Sequence, residues 1–335
     1  VRLATYNVEW FNALFADDGS LLCDDAWSAR WGITRERQIA AIGAVFQALD
    51  ADAVMVIEAP DTSRGRDGTR ALETFARAFN LRARAALIGF ANDTQQEIAL
   101  LYDPDLIEVC HDPGGLPMGA IGARDDPRFD DVFHIDLDTD SAPEHVRWSK
   151  PPLEVILDSA RHTLRLIGVH AKSKAPHGAT SAKDATRIAI ENRRKQLAQC
   201  IWLRHRVEGH LAAGDPLIVM GDFNDGPGLD EYERLFGRSG VEIVRGEGRG
   251  VQLYDPHVDM PGATSARFWH QTEERWFETL LDFILVSPDL AARGPQWRIW
   301  HPLRDPLLCG QTQLCQALLD ASDHFPVTLD LPDGP

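Results

Sequence analysis

The sequence is short of apolar runs: no stretch of its 335 residues comes near the roughly 20 apolar positions that a membrane-spanning helix needs. That excludes a stable helical membrane insertion within these residues. A basic, apolar and small-residue leader is also missing from the start, where Val1-Arg2-Leu3-Ala4-Thr5 reads as a strand. Because a leader can be removed, a secreted, periplasmic or cytoplasmic location stays open. Cysteine is scarce, and Cys23, Cys110, Cys200, Cys309 and Cys315 include no CxxC pair, which removes the usual zinc and dithiol frameworks. Only Cys309 and Cys315 lie close enough in sequence to bridge a short loop, with two reduced thiols as the alternative. Positive charge is short as well. With 34 Lys and Arg against 51 Asp and Glu, the formal charge is −17, which argues against gripping nucleic acid by broad charge neutralisation. A polyanionic substrate would need a local basic patch or a metal.

Internal repeats, low-complexity tracts and long linkers are absent too, so the chain reads as one continuous domain over 1–335 with surface insertions. One insertion spans 111–128, which holds Pro113, Gly114, Gly115, Pro117, Gly119, Gly122 and Pro127; the other is the glycine-rich stretch 237–250. What is present is an ordinary globular composition, 44% hydrophobic and 25% charged, enough for a large core. Ile39, Ile42, Val45, Phe46 and Leu49 recur at helical spacing over 34–49 with Thr34 placed to cap, and 184–204 is a second helix. Short apolar runs at 53–57, 98–102, 153–157, 164–169, 217–220, 281–286 and 327–329 predict strands, hence a mixed α/β protein.

The runs end in a particular way. Asn7 closes Leu3-Ala4-Thr5-Tyr6, Glu58 closes 53–57, and His170 closes 164–169. Gly221-Asp222-Phe223-Asn224 closes 217–220, Asp282 opens the run to Val286, and Ser322-Asp323-His324 precedes the last strand. A rigid sheet fixes side chains at its strand ends closely, so six such places suggest one polar site. Singly, each has an ordinary explanation as a turn, cap or core residue. Asp282 is the exception, because an aspartate in an apolar strand costs several kcal/mol unless something pairs with it, and His324 is a fitting partner.

The order Asn, Glu, His, Gly-Asp-x-Asn, Leu-Asp-x-Ile-x-Val-Ser, Ser-Asp-His resembles the endonuclease/exonuclease/phosphatase superfamily, over nearly the whole chain. Tyr6-Asn7-Val8-Glu9 with Phe11-Asn12, His170-Ala171-Lys172-Ser173-Lys174 and Arg193-x-x-Gln196 resemble its bacterial extracellular-nuclease branch. Two departures concern phosphate contacts: Ile57 stands where many relatives carry glutamine, and Lys150-Pro151 where an arginine-proline pair is common. The resemblance implies a four-layer α/β sandwich, two mixed β-sheets packed face to face with helices outside and the site at one edge.

Phosphoester hydrolysis needs in-line water attack, relief of charge on the non-bridging oxygens and a stabilised leaving oxygen. Asn7, Glu58 and Asp323 are hard oxygen donors suited to one or two magnesium or manganese ions; zinc is disfavoured without a histidine or cysteine cluster. Asp222 would orient or deprotonate the water with Asn224 beside it, and Asp282 would fix His324 so that its imidazole bonds or protonates phosphate oxygen. Which of Asp222 and His324 is the base stays open. His170 would donate to a non-bridging oxygen, and Lys172 and Lys174 would raise positive potential at the rim. Trp10, Phe11, Trp148, Trp269 and Trp276 read as core. The expected activity is metal-dependent phosphodiester hydrolysis with nucleic acid as default substrate; the alternatives are a small-molecule or lipid phosphoester and a catalytically silent phosphate-binding module. No protein partner is implied.

Overall fold

The structure, a computed structural model, describes residues 1–63, 65–135, 144–176, 178–227, 237–248, 250–270 and 274–333. Its first strands are β1 (Arg2–Asn7), β2 (Ala53–Ala59), β3 (Ala85–Ile88), β4 (Glu97–Tyr102) and β5 (Ile107–His111). A small hairpin, β6 (Phe133–Ile135) and β7 (Glu144–Val146), precedes β8 (Leu153–Ser159), β9 (Thr163–His170) and β10 (Leu217–Asp222). A second hairpin, β11 (Ala266–His270) and β12 (Arg275–Thr279), leads to β13 (Asp282–Val286), β14 (Gln296–Ile299) and β15 (Val327–Asp330). Six strands form one sheet in the order β14-β15-β1-β2-β4-β3, and five form another in the order β13-β10-β9-β8-β5. Both mix parallel and antiparallel pairs: β1 runs parallel to β2 and antiparallel to β15, and β10 runs parallel to β9 and antiparallel to β13.

The core explains why the strands read as unbroken apolar runs. Along β2, Val54 and Val56 face α1 (Arg35–Leu49) and α2 (Gly68–Ala78), while Met55 and Ile57 face the other sheet. Along β10, Leu217 and Val219 pack with α3 (Ala182–Ala213), while Ile218 and Met220 meet the first sheet. A strand buried on both faces cannot alternate with polar residues. The layers are therefore helix, sheet, sheet and helix, the sandwich that the family resemblance implies.

Local differences from the sequence reading have physical causes. The helix expected over 184–204 spans Ala182–Ala213, because Ser181 accepts the Asp184 amide at 3.1 Å and Gly214 closes the far end in the left-handed conformation. Its last turns hide buried arginines: Arg206 pairs with Glu154 at 2.5 Å and Arg204 donates to the Val251 carbonyl at 2.8 Å. Charge at those positions masks the helical period. Within 237–250, a loop by its glycines, residues 240–245 form α4 (Gly240–Arg245), because Ser239 and Glu242 cap each other's backbone amides. The stretch after β5 is turn-rich, as its glycines and prolines predict. Cys309 and Cys315 are both free thiols, and no described helix is long and apolar enough to cross a membrane.

Candidate functional site

Strand register builds the first half of the site. Asp222 lies directly opposite His170 on β9 and opposite Asp282 on β13, so three adjacent strands of one sheet present their functional residues at one level. Gly221 makes this approach feasible. It sits at φ 139, and a Cβ there would lie 2.1 Å from the Val169 carbonyl oxygen, so any side chain would push β10 off β9. The turn that follows places Asn224 at φ 50, where its backbone amide donates to Asp222 Oδ1 at 2.7 Å and its side-chain amide reaches Oδ2 at 3.1 Å.

The second half comes from the other sheet and crosses the seam twice. Asn7, ending β1, donates through Nδ2 to Asp222 Oδ2 at 3.0 Å. His324, after α6 (Thr312–Ala321), places Nδ1 2.8 Å from Asp282 Oδ2. Ser265 donates to the same carboxylate oxygen at 2.7 Å, and Ser322 Oγ, which bonds both the Asn7 carbonyl and the His324 amide, ties the last loop to β1. Hence Asp282, placed in an apolar run, has the partners that the sequence demanded for it.

A carboxylate cluster occupies the other end of a cleft of about 580 Å³. Glu58 interrupts the β2–β4 register between Ile57 and Ala59 and takes φ 62, a left-handed conformation that a glutamate adopts only when its surroundings impose it. This turns its carboxylate toward the cleft, where it accepts the Trp10 amide at 3.1 Å and the Gln96 side-chain amide at 2.7 Å. Glu9 and Asp323 line the same cleft. Burial, then the nearby Asp323 carboxylate, drives the Glu9 carboxyl up to about 7, and burial raises Glu58 as well despite the opposing charge of Lys150. Burial also pushes Asp222 up to about 7 against the pull of His324.

Crowded, desolvated carboxylates are what a divalent cation relieves. Asn7 Oδ1 supports that reading: it is buried and accepts no hydrogen bond, although its own amide nitrogen is engaged. Asn7, Glu9, Glu58 and Asp323 together offer hard oxygens only, a donor set that fits magnesium or manganese. Among the described residues, Asp222, Asp282 and His324 are the one group of three His, Cys, Asp or Glu side chains whose donor atoms lie within 4.8 Å of one another. A cation there would face the His324 imidazole that the Asp282 and Asp222 carboxylates already hold above its usual range, so the all-oxygen set is the better-suited seat.

The histidines differ. Burial alone would lower His324, but the Asp282 and Asp222 carboxylates outweigh it and hold the imidazole well above its usual range. His170 is held well below, first by burial and then by Lys150, whose Nζ lies 3.3 Å from Nε2. Lys150 thus places its cation at the cleft from the position noted as a departure. Likewise Gln96, from the loop before β4, supplies an amide beside Glu58 where Ile57 is buried in the core.

Of the residues singled out in the sequence, Asn7, Glu58, His170, Lys172, Asp222, Asn224, Asp323 and His324 line the cleft, and Asp282 sits behind His324. Lys174 does not line it; its ammonium pairs with the buried Asp225. Gln196 braces the floor within 3.1 Å of the Lys172, Phe223 and Asn224 carbonyls. Glu9 was missed, although its i, i+2 spacing from Asn7 is a strand signal for one face. Gln96 and Ser265 had no sequence signal. The aromatic reading needs dividing: Phe11 and Trp148 are core, but Trp10, Trp269 and Trp276 are exposed, the last two on the β11–β12 hairpin, which belongs to neither large sheet.

Truncated TDP2 from Caenorhabditis elegans shares the fold with a TM-score of 0.51 at 14% identity, covering 99% of this chain and 97% of that one. An endonuclease/exonuclease/phosphatase from Bacteroides vulgatus also has a TM-score of 0.51 at 14% identity, with 100% and 99% covered. No curated protein sequence matches the chain. The sequence model of the Endonuclease/Exonuclease/phosphatase family, however, matches residues 4–324, from β1 through His324, and the chain therefore belongs to that family.

Proposed function

We infer that the protein is a divalent-metal-dependent phosphoesterase that hydrolyses phosphodiester bonds by in-line attack of water, with nucleic acid as its default substrate. The observation that carries this is the meeting of two sheets at one cleft: Asn7 on Asp222 and His324 on Asp282 set a raised-pKa carboxylate beside a charged imidazole, facing a cluster of oxygen donors.

Asp222, with its carboxyl raised to about 7, is basic enough to take a proton from water near neutral pH and is aimed by the Asn7 and Asn224 amides. His324 donates its Nδ1 proton to Asp282, which leaves Nε2–H for a non-bridging phosphate oxygen. His170 is held well below its usual range by burial and Lys150, so positive charge on that side comes from Lys150 and Lys172, both lining the cleft. A magnesium or manganese ion held by Asn7, Glu9, Glu58 and Asp323 would neutralise phosphate charge and stabilise the leaving oxygen.

Two cleft lysines are a small cation set for a chain of net charge −17, which favours substrates engaging one or a few phosphates over tight duplex binding and keeps a small-molecule or lipid phosphoester as second reading. The test compares bis-p-nitrophenyl phosphate with plasmid DNA, for wild type and His324→Ala, in magnesium, manganese and chelator. Metal-dependent nicking abolished by the substitution is expected. Diester turnover without nicking would move the substrate to small esters, and no turnover on any ester would sink the hydrolytic reading in favour of a silent phosphate-binding module.

A further inference from the structure

A second cavity of about 620 Å³ opens off the carboxylate end of the cleft and shares Glu9 and Asp323 with it. Its other walls are unlike the first. Trp269 and Trp276 are paired across the β11–β12 ladder, their rings edge to face with centroids 5.5 Å apart, and the Arg267 guanidinium carbon lies over Trp276, 4.0 Å from the ring centre. Glu278 holds Arg267 at 3.3 Å and is itself held by Arg304 at 3.0 Å, so the cation is braced on the ring. Across the groove stands Trp31, 97% exposed, on the loop whose Arg30 pairs with Glu9.

Water tolerates three exposed indoles poorly, and a groove beside a reaction centre is where such cost has a use. Trp269 and Trp276 leave 45% and 51% of their surface open, so indole surface is accessible to a ligand in the groove. The groove is also charged, with Glu9, Arg30, Arg267 and Asp323 among its lining. An acyl chain would gain little there. A flat heteroaromatic ring with hydrogen-bonding edges matches both features, because it stacks on indole and guanidinium planes and bonds the charged groups at its rim.

We propose that the groove of Trp31, Trp269, Trp276 and Arg267 is a subsite that stacks a nucleobase-like ring carried by the leaving-alcohol arm of the substrate. The arm assignment rests on the hydrolytic reading above: if Asp222 aims the water, an in-line leaving oxygen departs toward Glu9 and Asp323, where the groove begins. The hairpin is fastened to that end of the site, since the Arg267 amide donates to the Asp323 carbonyl at 2.7 Å and the Phe325 amide to the Ser265 carbonyl at 2.6 Å. Wall and reaction centre therefore move as one piece.

Binding without turnover tests this. Calorimetric titrations of the whole protein in chelator would use adenosine, adenosine 5′-monophosphate, ribose 5-phosphate and dihexanoyl phosphatidylcholine below its micelle concentration. Adenosine and its monophosphate should bind at least about tenfold more tightly than ribose 5-phosphate, and Trp276→Ala or Trp31→Ala should each weaken adenosine about tenfold, the usual worth of one base stacked on one aromatic ring. Trp31 is on the surface, so its loss tests the groove without risk to the hairpin. Equal binding of the monophosphate and ribose 5-phosphate, no effect of either tryptophan substitution, or tighter binding of the phospholipid would overturn the proposal. Adenosine binding lost with the tryptophans, in a protein that hydrolyses no ester, would support the ring subsite and remove only the hydrolytic reading.

Discussion

Two imidazoles flank Asp222, and the molecule drives them in opposite directions. His170 reaches it along the sheet, from the neighbouring strand, with Nε2 3.6 Å from Oδ2. His324 reaches it across the seam between sheets, already bonded to Asp282. Both are buried, so burial cannot account for the contrast. What differs is the further partner: at His324 the Asp282 carboxylate joins Asp222 in outweighing desolvation, while at His170 Lys150 adds to desolvation. A residue type alone does not fix a role; the charge beside it does.

The largest expected effect follows from removing the charged member. His324→Ala should lower kcat by about 10²–10⁴-fold, the range for a positioned proton donor or acceptor, in a steady-state assay with saturating metal. Asp282→Asn sharpens the comparison. Without that carboxylate the imidazole loses its raising partner, so the alkaline limb of the kcat–pH profile should move toward neutrality; an unmoved limb would mean that His324 does not set it. Next comes Glu9→Gln, which should weaken manganese binding roughly tenfold by calorimetry while sparing the His324–Asp282 pair, about the loss common for a metal-site partner. On the neutral side, Lys150→Met removes a cation that lowers His170, so the imidazole pKa followed by NMR in chelator should rise; no change would break the explanation given for the contrast.

The smallest effect lies away from the cleft and concerns stability. Burial raises the Glu97 carboxyl to about 7, against the hydrogen bonds it accepts from Asn92. The folded state therefore keeps a proton that the unfolded chain releases above its usual 4.5, and stability falls as pH rises from there through about 7. Glu97→Gln should remove that slope, worth up to about 3 kcal/mol between acid and neutral pH on the 1.36 kcal/mol per pKa unit scale. The measurement is urea unfolding at both ends of the window.

The sandwich and much of the site were legible because strand ends carry their side chains at fixed places. Asp282 was the clearest signal, since an apolar strand leaves an aspartate no solvent, and His324 answers it at 2.8 Å. Glu9 stood two residues past Asn7, yet a glutamate just beyond a strand has an ordinary surface explanation, and only folding shows that Asp323 crowds it. Gln96 reaches Glu58 from a loop 38 residues on, and Ser265 reaches Asp282 from 17 residues before it; no local pattern encodes such encounters. The exposed indoles at 269 and 276 read as core because aromatic residues in a strand usually are, whereas this hairpin belongs to neither large sheet. The buried arginine at 206, just past the expected end at 204, hid the length of α3 in the same way.

The two hydrogen bonds that cross the seam, Asn7 to Asp222 and His324 to Asp282, join groups 215 and 42 residues apart from sheets that share no strand. The cleft thus works as a vernier on the alignment of the two sheets: a slip of one against the other, too small to expose core or change secondary structure, pulls both pairs out of reach together. The proposed activity should therefore be the first property to fail under hydrostatic pressure or mild denaturant, ahead of any spectroscopic sign of unfolding, which makes the cleft a gauge of the protein's own internal registration.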